Sequence, residues 1–310
     1  MQRILQISYI VYIKEKKSDM KFVPYSDYYK DGVLACLKRN IQWMSTLSDN
    51  RLYEWLLPII NYPWIEQIDS KKCPYKHGVI LLDDIGKVRG FSAAIHSIQA
   101  INGQERVFIN PSTTVVDKKF RFYFIGMCEE MFKYGDAIID VSPNESVQKV
   151  SKKIFNFSIV DNPMYMMKSR LFGCKRMNSD EKLSDSSVIK AMKDHGNCGI
   201  KCVRLYDDIE YTYVFYKIIK KIKKMPIRTL CVLHVSNLSF FTENFIACVS
   251  RLSHKEHCLF TMADSRYVDI NNLPKLFIKK QKFRAISNHD LINDYTFLYT
   301  ELALLQNEMV

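Results

Sequence analysis

Between Val79 and Val141 the hydrophobic period of the chain changes twice, and that succession restricts the fold more than any other feature. Val79 to Asp83 and Val88 to Ala100 read as strands joined by a turn at Ile85-Gly86. Asn102-Gly103 is the pair favoured in a two-residue hairpin turn, and Arg106 to Val116 return as a third antiparallel strand. Phe120, Phe124, Met127 and Met131 then recur at helical spacing, with Asp117 before Lys118 as an N-cap. Ala137 to Val141 is a short strand of the buried type, Ser142 to Lys153 a helix, and Phe157 onward a strand ending near Met167. Upstream, Phe22 to Tyr25 reads as a strand, Ser26 to Asn40 as a helix with Tyr29, Val33 and Leu37 on one stripe, and Asn50 to Asn61 as a second helix. A meander that feeds a helix and then a buried strand predicts a mixed, mostly antiparallel α/β sheet flanked by helices.

The stretch from Ser169 to Ser187 has no sustained period and carries Gly, Asn, Asp and Ser, so a domain boundary is expected near residue 175. Beyond it a similar outline returns more faintly: strands at Lys201 to Asp207, Tyr211 to Ile222 and Thr229 to Val235, a helix at Ser239 to Leu252, and a strand at Cys258 to Met262. This is a candidate internal repeat. The tail from Asp294 to Leu305 reads as a helix with Leu298, Leu302 and Leu305 on one stripe.

With 310 residues, 47% apolar and 25% charged, and no uninterrupted apolar run long enough to span a bilayer, the chain reads as a soluble globular protein of one large or two medium domains. Forty-five Lys and Arg against thirty-three Asp and Glu give a formal charge of +12, which favours an anionic partner. The densest basic stretch, Lys217 to Lys224, alternates Lys with Ile as one solvated face would. Tyr211, Tyr213 and Tyr216 lie nearby, but no recognition motif accompanies them, so nucleic acid is not the expected partner. Nine scattered cysteines suit reduced thiols in a cytoplasmic protein. Ile4 to Ile13 is apolar like a signal segment, yet Lys14-Glu15-Lys16-Lys17 stand where a cleavage site belongs. Residues 1–19 are therefore an N-terminal extension: an added strand, an interface segment or an upstream extension of the reading frame. His195, Cys198, Cys202, His254, His257 and Cys258 have zinc-ligand chemistry without zinc-ligand spacing, so no metal is expected.

Val116-Asp-Lys-Lys-Phe120-Arg121-Phe122-Tyr123-Phe124-Ile125-Gly126 resembles the segment of the GNAT acyltransferase superfamily in which amides at a helix start hold the pyrophosphate of coenzyme A. Arg121 and Gly126 match the outer positions of its Gln/Arg-x-x-Gly-x-Gly/Ala signature. Phe122 and Phe124 stand where the family has glycines. Pro143 to Phe157 resembles the closing Asn-bearing segment, with Asn144 on the residue that contacts pantetheine and Ser151 or Lys152 where many members have a tyrosine acid. Asn102-Gly103, Ile109 to Val116 and the tail Leu298-Tyr299-Thr300-Glu301-Leu302 resemble a branch found among bacterial surface-polysaccharide genes.

The resemblance implies a GNAT-like sheet over residues 20–175 and a second, degenerate GNAT-like half over residues 176–310, where His234-Val-Ser-Asn-Leu-Ser-Phe-Phe lacks a glycine for a pyrophosphate loop. It implies acetyl-CoA or another acyl-CoA as acyl donor and an amine or hydroxyl of a small molecule or sugar as acceptor. Val115, Val116, Arg121, Phe122, Tyr123, Phe124, Ile125, Gly126 and Asn144 would contact the donor. Acyl transfer needs a base and an oxyanion donor, and the side chains within reach of the implied site are Asn110, Ser112 and Thr113 on one strand and Asp140 and Ser142 at the end of the next. His96 is the nearby imidazole and reads equally as a packed sheet residue. The alternative is an inactive GNAT-like binding or scaffold protein in which Phe122 and Phe124 fill the phosphate site.

Overall fold

The computed structural model describes residues 20–101, 103–161, 163–168, 177–219, 227–269, 277–280, 283–287 and 296–304. The expectations for residues 1–19, Asn102, the boundary near residue 175, Lys220 to Lys224 and Leu305 lie outside the described residues. In chain order come β1 (Lys21–Pro24), α1 (Lys30–Asn40), α2 (Asp49–Ile60), β2 (Val79–Leu82), β3 (Val88–Ile101), β4 (Gln104–Val116), α3 (Phe124–Phe132), β5 (Ala137–Asp140), α4 (Glu145–Lys153), β6 (Ser158–Asp161) and β7 (Met164–Lys168). There follow β8 (Asn178–Asp180), α5 (Ser186–His195), β9 (Ile200–Tyr206), β10 (Tyr211–Ile219), β11 (Thr229–Val235), α6 (Leu238–Glu243), α7 (Phe245–Lys255), β12 (Phe260–Asp264), β13 (Phe277–Lys280), β14 (Phe283–Ile286) and α8 (Glu301–Leu304).

The strands form two seven-stranded sheets, in the orders β1-β2-β3-β4-β5-β14-β6 and β13-β7-β12-β11-β10-β9-β8. Read from β8, the second sheet repeats the first. Each has a run of four strands, β4 pairs parallel with β5, and β11 pairs parallel with β12. In each sheet the next strand comes from the other half of the chain: β14 sits between β5 and β6, and β7 between β12 and β13. The mixed, mostly antiparallel α/β class expected from the sequence is the one observed.

The chain divides into two compact units. The first comprises the described residues through Ile60 with Asp69–Ala94 and Pro111–Tyr134, and the second comprises Asn61–Ile68, Ile95–Asn110 and the described residues from Gly135 onward. In the first, Val33, Leu34 and Leu37 of α1 and Leu52, Leu56 and Ile59 of α2 are buried, as are Phe91 of β3 and Met127 and Met131 of α3. In the second, Val203, Leu205, Val214, Leu230 and Val232 form a core with Phe241, Phe245 and Leu252.

Several expectations are corrected. The helix expected from Lys118 opens as a 3-10 turn over Lys118–Tyr123, and the Asp117 side chain caps nothing. It accepts instead from Arg39, Asn40 and Arg89, which hold its carboxyl below the usual carboxylate range. The strand expected from Phe157 to Met167 is two strands, with Pro163 in the break and unable to donate to a ladder. Within Ser169 to Ser187, β8 pairs with β9, and α5 begins where Asp185 accepts from the amides of Ser187 and Val188. The tail helix is shorter than expected, a 3-10 turn at Phe297–Tyr299 followed by α8. Lys217 is buried, donating to the Ala303 carbonyl at 2.8 Å rather than facing solvent.

Candidate active site

In the second unit, the parallel ladder between β4 and β5 runs through Phe108 opposite Ala137 and Ile109 opposite Ile138. At the next position a side chain takes over: Asn110 Nδ2 donates to the Ile139 carbonyl at 2.7 Å. The Oδ1 of the same residue accepts from the Glu301 amide at 2.9 Å, tying the tail to this point. Asn110 is thereby spent in holding three segments together.

Asp140 is two residues past the last ladder pair, and the Ser142 amide donates to its Oδ1 at 3.1 Å, a turn in which a short carboxylate accepts from the backbone two residues on. Ser142 donates its hydroxyl to Glu301 Oε1 at 2.6 Å. Glu301 is buried. Desolvation pushes the Asp140 carboxyl up to about 7, and the neighbouring Glu301 charge pushes the same way against the Ser142 amide. An acid poised there exchanges its proton near neutral pH, which is what general base catalysis requires.

The second sheet carries the same construction with a different outcome. Its parallel ladder ends with Cys231 opposite Met262, and two residues further Asp264 Oδ1 accepts from the Arg266 amide at 3.0 Å. Where the first site has Ser142, this one has Arg266, whose Nε also reaches Asp264 Oδ1 at 3.0 Å. Asp264 is fully buried and ion-paired. At equivalent places in two equivalent sheets, one aspartate faces an acid and the other a cation.

In the first unit, β4 leaves regular strand geometry at Thr113, whose φ of 53° is unusual for a β-branched residue. Ser112 is buried and its hydroxyl lies 3.3 Å from that of Thr113. Val115 and Val116 are buried at the strand end. Lys118, Lys119 and Arg121 are exposed on the 3-10 turn, and Phe122 lies half-buried with its ring 4.2 Å from that of the buried Tyr123. Phe124 and Ile125 open α3 half-buried. Gly126 faces Phe22 of β1, and a Cβ there would lie 2.9 Å from the ring, so glycine at this position admits close helix–strand packing.

The expected site residues are therefore distributed. Asn110, Asp140 and Ser142 come together with Glu301 in the second unit, whereas Ser112, Val115, Val116 and Arg121 to Gly126 belong to the first. Asn144, in the second unit, caps α4, accepting from the Val147 amide at 3.0 Å. His96 is fully buried in β3; its amide donates to the Tyr62 hydroxyl and its carbonyl accepts from Trp64 Nε1. Among the described residues, no group of three or more His, Cys, Asp or Glu is placed to hold a metal ion, and no helix is long and apolar enough to cross a membrane. Sequence reasoning missed Glu301 as a site residue. Its signal was a lone acid inside the otherwise apolar tail stripe.

Solved structures with this arrangement of strands and helices include a GCN5-related N-acetyltransferase from Anabaena variabilis ATCC 29413, 9% identical over 87% of this chain and 73% of that one, with a TM-score of 0.55. The fold is that of the GCN5-related N-acetyltransferases. A probable N-acyltransferase of unknown function from Enterococcus faecalis V583 shares this GNAT fold at 10% identity, covering 86% of this chain and 72% of that one, with a TM-score of 0.52. A GCN5-related N-acetyltransferase from Kribbella flavida does so at 10% identity over 86% and 71%, with a TM-score of 0.50. No protein-family model and no curated protein matches the sequence.

Proposed function

We propose that the chain is an acyl-CoA-dependent acyltransferase that moves an acetyl or other acyl group to an amine or hydroxyl of a small molecule or sugar. The observation that carries this reading is the end of the parallel β4–β5 ladder in a sheet of this fold, where Asp140 and Ser142 lie just beyond the last pair, and desolvation raises the Asp140 carboxyl there. In this reading Asp140 removes the acceptor's proton. When bound, acyl-CoA supplies the activated thioester. The residues of the 3-10 turn fit its pyrophosphate by charge: Lys118, Lys119 and Arg121 are exposed cations at the start of a helical stretch, where the backbone dipole is also positive. Clustered there, they repel one another and the helix end, and an anion offsets that cost. The β4 backbone at Val115 and Val116 would lie along the pantetheine arm. The repeated sheet order supports a tandem reading in which residues 20–175 carry the donor site and residues 176–310 a silent counterpart, consistent with Asp264 being neutralised by Arg266. A cytoplasmic, polysaccharide-related role belongs to the same reading.

Calorimetric titration with acetyl-CoA and longer acyl-CoA species tests it. Micromolar binding, about −8 kcal/mol, that weakens in Arg121→Ala supports the transferase. Absence of binding by every acyl-CoA, by heat and by thermal shift, favours the inactive GNAT-like scaffold instead.

A further inference from the structure

The segment Thr296–Leu304 is packed deeply into the second unit. Phe297, Leu298, Thr300, Glu301, Ala303 and Leu304 are all buried. Tyr299 wedges against Trp64 and His195, with ring centroids 5.0 and 4.9 Å away, and donates its hydroxyl to Asp194 at 2.9 Å. Lys217 holds the Ala303 carbonyl, and Phe297 lies on the Arg266 guanidinium at 4.8 Å. Burying Glu301 in such a segment costs more than burying a leucine there would, and hydrogen bonding to the carboxylate offsets only part of that cost. The hydrogen bonds around it fix its position: Asn110 takes its amide and Ser142 its carboxylate.

We propose that Glu301 is the positioning residue of the Asp140 site, a second carboxyl that the docked segment Thr296–Leu304 delivers through Ser142 and Asn110 and that couples to proton exchange at Asp140. The inference rests on the transferase reading and adds how its base is set. Among the described residues around Asp140, Asn110 of β4 and Ser142 are neutral, Ala285 of β14 is its register partner, and Glu301 is a charged neighbour. In the second sheet the residue that matches Ser142 is Arg266, and its Nε donates directly to Asp264 Oδ1 at 3.0 Å. Glu301 does not touch the acceptor in this scheme. It acts through Asp140, so that undocking the tail lowers the basicity of Asp140 without removing any group from the reaction.

The test combines a titration that needs no turnover with a pH profile that does. In wild-type protein labelled at the Asp and Glu carboxyl carbons, Asp140 and Glu301 are each expected to titrate in two coupled steps. In Glu301→Gln, the Asp140 midpoint falls by about one unit or more and becomes a single step, as loss of a neighbouring like charge requires. Glu301→Asp keeps the charge and restores most of the raised midpoint. The acid limb of kcat/KM moves with the titration. Independent single-step titrations in the wild type, or an unmoved Asp140 midpoint in a folded Glu301→Gln, overturn the inference. Coupled titration without turnover on any acyl-CoA and acceptor keeps the Glu301 assignment and removes the transferase reading.

Discussion

Asp140 and Asp264 each lie two residues past the last pair of a parallel ladder, but Asp140 is desolvated beside Glu301 whereas Asp264 is ion-paired with Arg266. Replacing Asp140 with Asn removes the proposed base, so acyl transfer is expected to fall about 10²–10⁴-fold, read as kcat with donor and acceptor saturating. Stability should move the other way. The folded Asp140 carboxyl holds its proton up to about 7, against 3.8 for the unfolded chain, so the native state binds more protons in that window and loses stability as pH rises through it. Asp140→Asn escapes that loss, and its melting temperature relative to wild type should climb between about pH 4 and 7. Arg266→Met is expected to be destructive, costing about 3–5 kcal/mol in denaturant melts, because it leaves the fully buried Asp264 without its cation. Asp140 and Ser142 were legible in the sequence as polar residues closing a buried strand. Glu301 was not, because nothing local says that a residue so far along the chain returns to the end of β5.

At the scale of elements, the long hairpin β3–β4 was legible because length and the turn pair agree, and Gly103 indeed adopts a φ of 76°. Helix α5 was not, since its buried side includes Asp194 and His195 beside Val188 and Ala191, which breaks the apolar stripe that reveals a helix. The strand β8, Asn178–Asp180, has no apolar content and exists through pairing with β9. Helix α3 offers a direct test of why Gly126 is glycine. Gly126→Val should destabilise the protein by about 1–3 kcal/mol through collision with Phe22. Truncating Phe22 to Ala in the same protein should recover part of the loss, and a double-mutant cycle on melts measures the coupling.

For the whole molecule, two imidazoles help set the acid limit. Desolvation lowers the buried His195 and the half-buried His234 to about 4, with Asp194 opposing and Lys190 adding at His195, and Arg266 adding at His234. Unfolded histidines titrate near 6.5, so the unfolded state gains protons first, and stability is expected to drain away as pH falls from about 6.5 toward 4. Thermal melts across that range check it, and His195→Phe should flatten part of the slope. The exchanged strands carry a separate consequence, for synthesis. A ribosome delivers β5 and β6 long before β14, so the place between them stays open until about residue 286 has emerged. Until then β5 has a bare edge, and β7 waits for β12 and β13, strands not yet made. A nascent chain halted before β14 is therefore a poor candidate for independent folding, and its chaperone demand should fall once β13 and β14 have emerged.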